Sequence, residues 1–164
     1  MRMARTLVVL AVVGMLSGWS LAHDGHEGHD HGDGKGKLSA HDQLKIAVQE
    51  ICPMTGYKLG THGTPLKVKL GEETLFLCCK GCLKQQVNPK HWATIHANFA
   101  RAQQICPIMK KPLPKNPKWT FINGNIIYVC CPPCAKKLGA DPRAATKKLD
   151  ELYMASLRAR QPRR

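Results

Sequence analysis

All eight cysteines of the chain fall inside two copies of one pattern. Ile51-Cys52-Pro53-Met54 leads to Cys78-Cys79-Lys80-Gly81-Cys82, and Ile105-Cys106-Pro107-Ile108 leads to Cys130-Cys131-Pro132-Pro133-Cys134. Thiolates bind soft and borderline metal ions, attack electrophiles and pair as disulfides, so a duplicated unit built on sulfur implies one of these chemistries. Cys78 and Cys82 stand four apart where a strand runs into a helix, which aims both sulfurs at one spot if the helix starts near Cys79. The Cys-Pro turn brings Cys52 to the same place, and the equivalent trio in the second copy is Cys106, Cys130 and Cys134. A helix amino terminus stabilises thiolate, which makes these sulfurs better ligands and stronger nucleophiles. Cys79 and Cys131 are adjacent to the trios and complete the candidate ligand set.

The elements that must hold these sulfurs are short. Leu44, Val48 and Ile51 recur at helical spacing behind a capping Ser39, which predicts a helix leading into the first copy. Leu66 to Leu70, the turn Gly71-Glu72-Glu73, and Thr74 to Cys78 read as a hairpin. In the second copy Trp119 to Ile122 and Ile126 to Cys130 flank Asn123-Gly124, the pair that tolerates the positive φ of a type I′ turn. A helix follows each cysteine pair, over Leu83 to Val87 and Ala135 to Leu138. Asn88-Pro89 and Asp141-Pro142 break these, since the residue before proline leaves the helical region. Trp92, Ile95, Phe99 and Ala102, and then Ala145, Leu149, Leu152 and Tyr153, mark the helices beyond. The fold class is α+β: two tandem small modules of cysteine turn, β-hairpin and helix, at 38–104 with flanking helices and 105–164 with a C-terminal helix. Units of roughly 50 residues bury little surface and commonly need a metal or disulfides. Trp92, Phe99, Trp119 and Tyr153 read as core residues, and Met54 and Met109 as packing. His41, His62, His91 and His96 show no ligand spacing, though His91 and His96 lie near a cysteine cluster.

A cysteine in a Cys-Pro turn, then a hairpin, then Cys-x-x-x-Cys opening a helix that runs into Asn-Pro or Asp-Pro, resembles the YHS and TRASH-type metal-binding modules, relatives of the treble-clef zinc fingers. The resemblance covers Cys52 to Pro89 and Cys106 to Pro142, about half of the chain. It implies treble-clef-like modules with ligands Cys52, Cys78, Cys82 and Cys106, Cys130, Cys134. YHS modules often carry a second cysteine three positions after the first, where this chain has Thr55 and Met109, and aromatic residues where Leu77 and Val129 stand. A three-coordinate site, or one completed by Cys79, Cys131, Met54 or Met109, suits a softer ion such as Cu(I) rather than a closed zinc site.

Ahead of the modules, Met1 to Arg5 carries two arginines, Thr6 to Leu16 is apolar, and Ser20-Leu21-Ala22 offers small residues, the pattern of a secretory signal peptide cleaved after Ala22. Eleven apolar residues are too few to span a bilayer, so no membrane span is expected in the mature chain, which is periplasmic or secreted. The segment 23–37 holds His23, His26, His29 and His31 among carboxylates and glycines with nothing apolar to pack, and reads as a disordered leader. Imidazole and carboxylate suit Zn(II), Cu(II) or Ni(II), which makes it a weak metal-gathering tail or simply a polar leader. The chain carries a net charge of +14. Such a charge favours anionic partners, and export argues against nucleic acid.

Two other uses of the thiols stand beside metal binding. Eight cysteines in an oxidising compartment can form four disulfides, leaving an interaction module whose basic surface binds an acidic partner. Cys79-Lys80-Gly81-Cys82 and Cys131-Pro132-Pro133-Cys134 also have the spacing of thioredoxin-like enzymes, but without the surrounding βαβ pattern. There is no nucleotide loop, no supported Ser-His-Asp order and no paired carboxylates, which favours a binding protein over an enzyme. The expected function is sequestration, sensing or delivery of a thiophilic ion, Zn or Cu(I), one per module, with a metal-transport or metal-receiving protein as partner.

Overall fold

The computed structural model describes residues 38–161. The expected signal peptide at 1–22 and the expected leader at 23–37, with His23, His26, His29 and His31, lie outside the described residues. Helix α1 (Ala40–Gln49) opens on a capping box, in which the Ser39 hydroxyl accepts from the Asp42 N–H and the Asp42 carboxylate accepts from the Ser39 N–H. Strands β1 (Leu66–Leu70) and β2 (Glu73–Leu77) form the first antiparallel hairpin, and β3 (Lys118–Ile122) and β4 (Asn125–Val129) the second. Asn123 and Gly124 both take positive φ, 49° and 72°, as a type I′ turn demands. Helix α2 (Pro89–Gln103) lies between the hairpins, and α3 (Pro132–Gly139) and α4 (Pro142–Ala159) close the chain. Asn88 and Asp141 do more than break helices: their side chains accept from the N–H of Lys90 and Ala144, capping α2 and α4, each with proline in the first turn.

The helix expected over Leu83 to Val87 does not form. Lys80–Lys84 make a single 3-10 turn instead, and the chain then runs extended to Asn88. The second copy does form a helix there, because Pro132 and Pro133 preset its first φ angles while the first copy has Lys80 and Gly81. Trp119, expected in the core, is 56% exposed on the outer strand of its hairpin, and Met109, expected to pack, is 47% exposed. Phe99 and Tyr153 are fully buried and stack with their rings 16° apart. They sit in one apolar core that takes Val48, Leu75 and Ile95 from the first copy and Ile127, Val129 and Leu149 from the second. A smaller cluster of Leu59, Phe76 and Leu77 surrounds the first trio of cysteines.

The repeat reaches further back than the cysteine turn. Both α1 and α2 end in a γ-turn of positive φ, at Glu50 (65°) and Gln104 (59°), where Ile51 N–H donates to Gln49 O at 2.8 Å and Ile105 N–H to Gln103 O at 2.6 Å. Such turns are rare and strained. A buried glutamine holds each one. The Gln49 amide donates to Ile51 O at 2.9 Å and Phe76 O at 2.7 Å and accepts from Phe76 N–H at 2.9 Å. The Gln103 amide does the same to Ile105 O at 3.0 Å, Tyr128 O at 2.6 Å and Tyr128 N–H at 2.9 Å. Each glutamine thus fills the edge of β2 or β4 that faces away from its hairpin partner. Helix α2 therefore serves both copies, closing the first and carrying at its last turn the glutamine of the second.

A polar seam joins the copies. The Thr74 N–H donates to Gly124 O at 2.8 Å, and a Cβ at Gly124 would run into the Thr74 hydroxyl. Lys45, 2% exposed, donates to Gly124 O and Asn125 Oδ1, each at 2.8 Å. Burial pushes its ammonium down to about 8, against the attraction of Glu73. Glu73, itself buried, meets His96 at 3.0 Å.

Replacing Gln103 by leucine strands the Tyr128 N–H and C=O and frees the strained turn, and should cost about 3 kcal/mol in urea unfolding of the full chain, whereas Gln43→Ala on the exposed face of α1 should change it by less than about 0.5 kcal/mol. Lys45 gives a pH signature. Its folded pKa lies below the unfolded value, so its favourable contribution is complete above about 10.4 and is lost as pH falls through 8. The stability of the parent relative to Lys45→Met should therefore rise by about 3 kcal/mol between pH 7 and 11, read from paired denaturation curves.

Candidate metal centre

Each cysteine turn is closed by its own backbone. The Cys52 N–H donates to Tyr57 O at 2.8 Å and the Gly56 N–H to Cys52 O at 2.9 Å; Cys106 is held identically by Lys111 and Lys110, both at 2.8 Å. The last turn residue has positive φ in both copies, 73° at Gly56 and 55° at Lys110. Only the first demands glycine. The His91 ring lies over Gly56, its Nε2 2.7 Å from where a Cβ would stand, while its Nδ1 donates to Met54 O at 3.2 Å. Counted from the helix-starting prolines, the second copy has Ala144 in place of His91, which leaves room for the lysine.

The second ligand of each copy follows the inner strand of its hairpin, and the third stands in the turn or helix after it. Cys82 Sγ lies 3.7 Å from Cys52 Sγ and 3.5 Å from Cys78 Sγ, and Cys130 lies 3.8 Å from Cys134. Cys52, Cys78 and Cys82 form one set, and Cys106, Cys130 and Cys134 the other, with all three sulfurs within 4.8 Å of one another in each. A tetrahedral ion with Zn–S bonds of about 2.3 Å separates its sulfurs by about 3.8 Å, so both triads are spaced to hold a metal ion. Five of these six residues are buried, and Cys130 is half-buried. None of the eight cysteines is bridged.

Cys79 and Cys131 stand outside both triads. Cys79 is exposed and Cys131 half-buried, with sulfurs 3.6 Å and 3.3 Å from Cys82 and Cys134. The candidate extra donors separate as well. Thr55 touches Cys78 Sγ at 3.5 Å, Met54 packs against the small cluster, and Met109 points to solvent. His96 is taken up by Glu73, and His41 by Asp150 at 2.6 Å and Asn125 at 3.2 Å.

The cysteine turns supply most of the N–H groups that favour a charge on Cys52 and Cys106. Burial opposes ionisation of Cys52, but the N–H groups of Thr55, Cys78 and Met54 outweigh it and bring the thiol down to about 7. Cys106 is lowered the same way, against burial, by the N–H groups of Met109, Cys130 and Ile108. Burial and the neighbouring sulfurs push Cys82 well up, and Cys131 together with burial does so for Cys134. Each triad thus has one sulfur eased toward thiolate and two that resist ionisation, so a cation bound there would displace protons.

Sequence reasoning missed Gln49 and Gln103. They had a signal: Gln49-Glu50-Ile51-Cys52-Pro53 and Gln103-Gln104-Ile105-Cys106-Pro107 repeat in register three residues ahead of the cysteine. His91, singled out as near a cysteine cluster, does lie against the first cysteine turn, but its packing over Gly56 was not foreseen.

Gly56→Ala should destabilise the full chain by about 2 kcal/mol, from the positive φ and the displaced imidazole, with partial recovery in the Gly56→Ala/His91→Ala double variant and almost no effect from Lys110→Ala. Chemical denaturation of the four proteins reads this directly. No protein-family model, characterised protein or solved structure matches the chain.

Proposed function

We propose that the protein is an exported, non-enzymatic metal-binding protein that holds one thiophilic ion, Zn(II) or Cu(I), in each cysteine triad and sequesters, senses or delivers it. The observation that carries this reading is the convergence of three sulfurs, twice, within 4.8 Å of one another, close enough to share a single ion. The resemblance of each copy to YHS and TRASH-type treble-clef modules supports it, as does the apolar run with small residues at 1–22. Three sulfurs satisfy trigonal Cu(I), or leave one position of a tetrahedral zinc open to a ligand from a receiving protein. The histidines of 23–37 would gather ions at low affinity for the triads. No helix among the described residues is long and apolar enough to cross a membrane.

The test is elemental analysis with thiol counting on the chain purified without an affinity tag from where it is exported. About two ions per chain are expected, with the triad thiols titratable only after chelation, and a count of about one in Cys82→Ser and in Cys134→Ser. The two variants should differ in stability. Cys134 abuts the main core and Cys82 the smaller cluster, so Cys134→Ser should lower the unfolding midpoint more. A metal-free parent with four disulfides would overturn the reading and turn attention to the basic surface, whose partner binding would weaken steeply with salt.

A further inference from the structure

The cysteines left outside the triads are placed for a second chemistry, and this step rests on the metal-binding reading above. We propose that Cys79 and Cys131 are redox-sensing thiols that capture a peroxide and then bridge to Cys82 and Cys134, removing one ligand from each triad and ejecting its ion.

Access and distance carry the proposal. In the first copy Cys79 is the one exposed cysteine, while Cys52, Cys78 and Cys82 are no more than 1% exposed, so an oxidant meets Cys79 first. In the second copy Cys131 and Cys130 are both half-buried, whereas Cys106 and Cys134 are at most 2% exposed, so an oxidant reaches Cys131 before its partner Cys134. The nearest sulfur to Cys131 is that of Cys134, at 3.3 Å, and Cys79 has Cys82 at 3.6 Å. A disulfide of about 2.05 Å needs these pairs to close by only about 1.3 and 1.6 Å. The backbone already brings them together, with the Cys82 N–H donating to Cys79 O at 3.2 Å and the Cys134 N–H to Cys131 O at 3.1 Å. The competing bridge from Cys131 to adjacent Cys130 starts at 3.8 Å and must bend the peptide between them. Cys82 contacts both other sulfurs of its triad and Cys134 contacts Cys130, so withdrawing either takes away one of three grouped sulfurs.

The chemistry balances with hydrogen peroxide as oxidant. The thiolate of Cys79 attacks one peroxide oxygen, the O–O bond breaks, and hydroxide leaves to take up a proton as water, giving a sulfenic acid. Cys82 sulfur then attacks the sulfenic sulfur, an S–S bond forms as the S–O bond breaks, and the second hydroxide leaves as water with the remaining proton. Two thiols and one peroxide become one disulfide and two waters. Cys131 and Cys134 follow the same course. The two remaining sulfurs of each triad no longer enclose the ion.

The experiment loads the full chain with zinc, adds hydrogen peroxide, follows zinc release with a chromophoric chelator and maps bridges by peptide mass spectrometry. Cys79–Cys82 and Cys131–Cys134 bridges are expected, with one zinc released per bridge. The Cys79→Ser/Cys131→Ser double variant should load zinc as the parent does and release it at least about tenfold more slowly under peroxide. Release at the parental rate from that variant, or bridges formed within the triads, would overturn the proposal while leaving the metal reading intact. If the parent takes up no zinc or copper, the metal reading falls and ion ejection with it. Mapping on the peroxide-treated metal-free chain then decides the pairing alone: bridges at 79–82 and 131–134 uphold it, and any others overturn it.

Discussion

Three sulfurs packed against one another cannot all carry charge unless a cation stands between them, and the arrangement of both copies follows from that constraint. The closed turns at Cys52 and Cys106 aim backbone N–H groups at one sulfur and favour its thiolate, against the burial that opposes it. The other two sulfurs are then disfavoured as anions by burial and by the first. The triads are thus compact, with their sulfurs already close enough together to hold one ion.

Holding such a group in place takes more order than a 50-residue unit supplies by burial alone, and the chain obtains it by joining its halves. The apolar core draws on both copies, and the polar seam of Lys45, Asn125 and Glu73 fixes how the hairpins meet. Within each copy one buried glutamine ties the end of a helix, the start of the cysteine turn and the inner strand together. The second site of each hairpin, Cys78 or Cys130, follows that same strand, so the glutamine places two of the three sulfurs at once.

Much of this was legible because local chemistry and long-range structure agree. Ser39 with Asp42, Asn123-Gly124, and the Asn-Pro and Asp-Pro pairs each carry their own instruction, and the four-residue spacing of Cys78 and Cys82 foretold the convergence. Other features were hidden for physical reasons. The 3-10 turn after Cys79 depends on the lack of a proline pair, a difference between copies that a shared pattern conceals. Trp119 carries an apolar ring on an outer strand, where composition alone suggests burial. A glutamine in the last turn of an amphipathic helix looks like any solvated residue, and only its bonds to Phe76 or Tyr128, far along the chain, show otherwise. Whether a fourth cysteine joins a triad also turns on depth, which spacing does not encode: Cys79 and Cys82 lie three residues apart yet one is exposed and the other buried.

The double duty of α2 makes helical phase a conserved quantity inside the molecule. Its start is pinned by the Asn88 cap and its end by the Gln103 amide, fifteen residues on. One residue added or removed between them would turn the far end by about 100° and shift it by about 1.5 Å, swinging the glutamine off β4 and with it the strained turn that presents Cys106. The length of this helix therefore acts as a ruler between the two sulfur sites. Changes of length can be absorbed in the stretch between Leu113 and Lys118, but the distance from one site to the next is locked to the length and phase of a single helix.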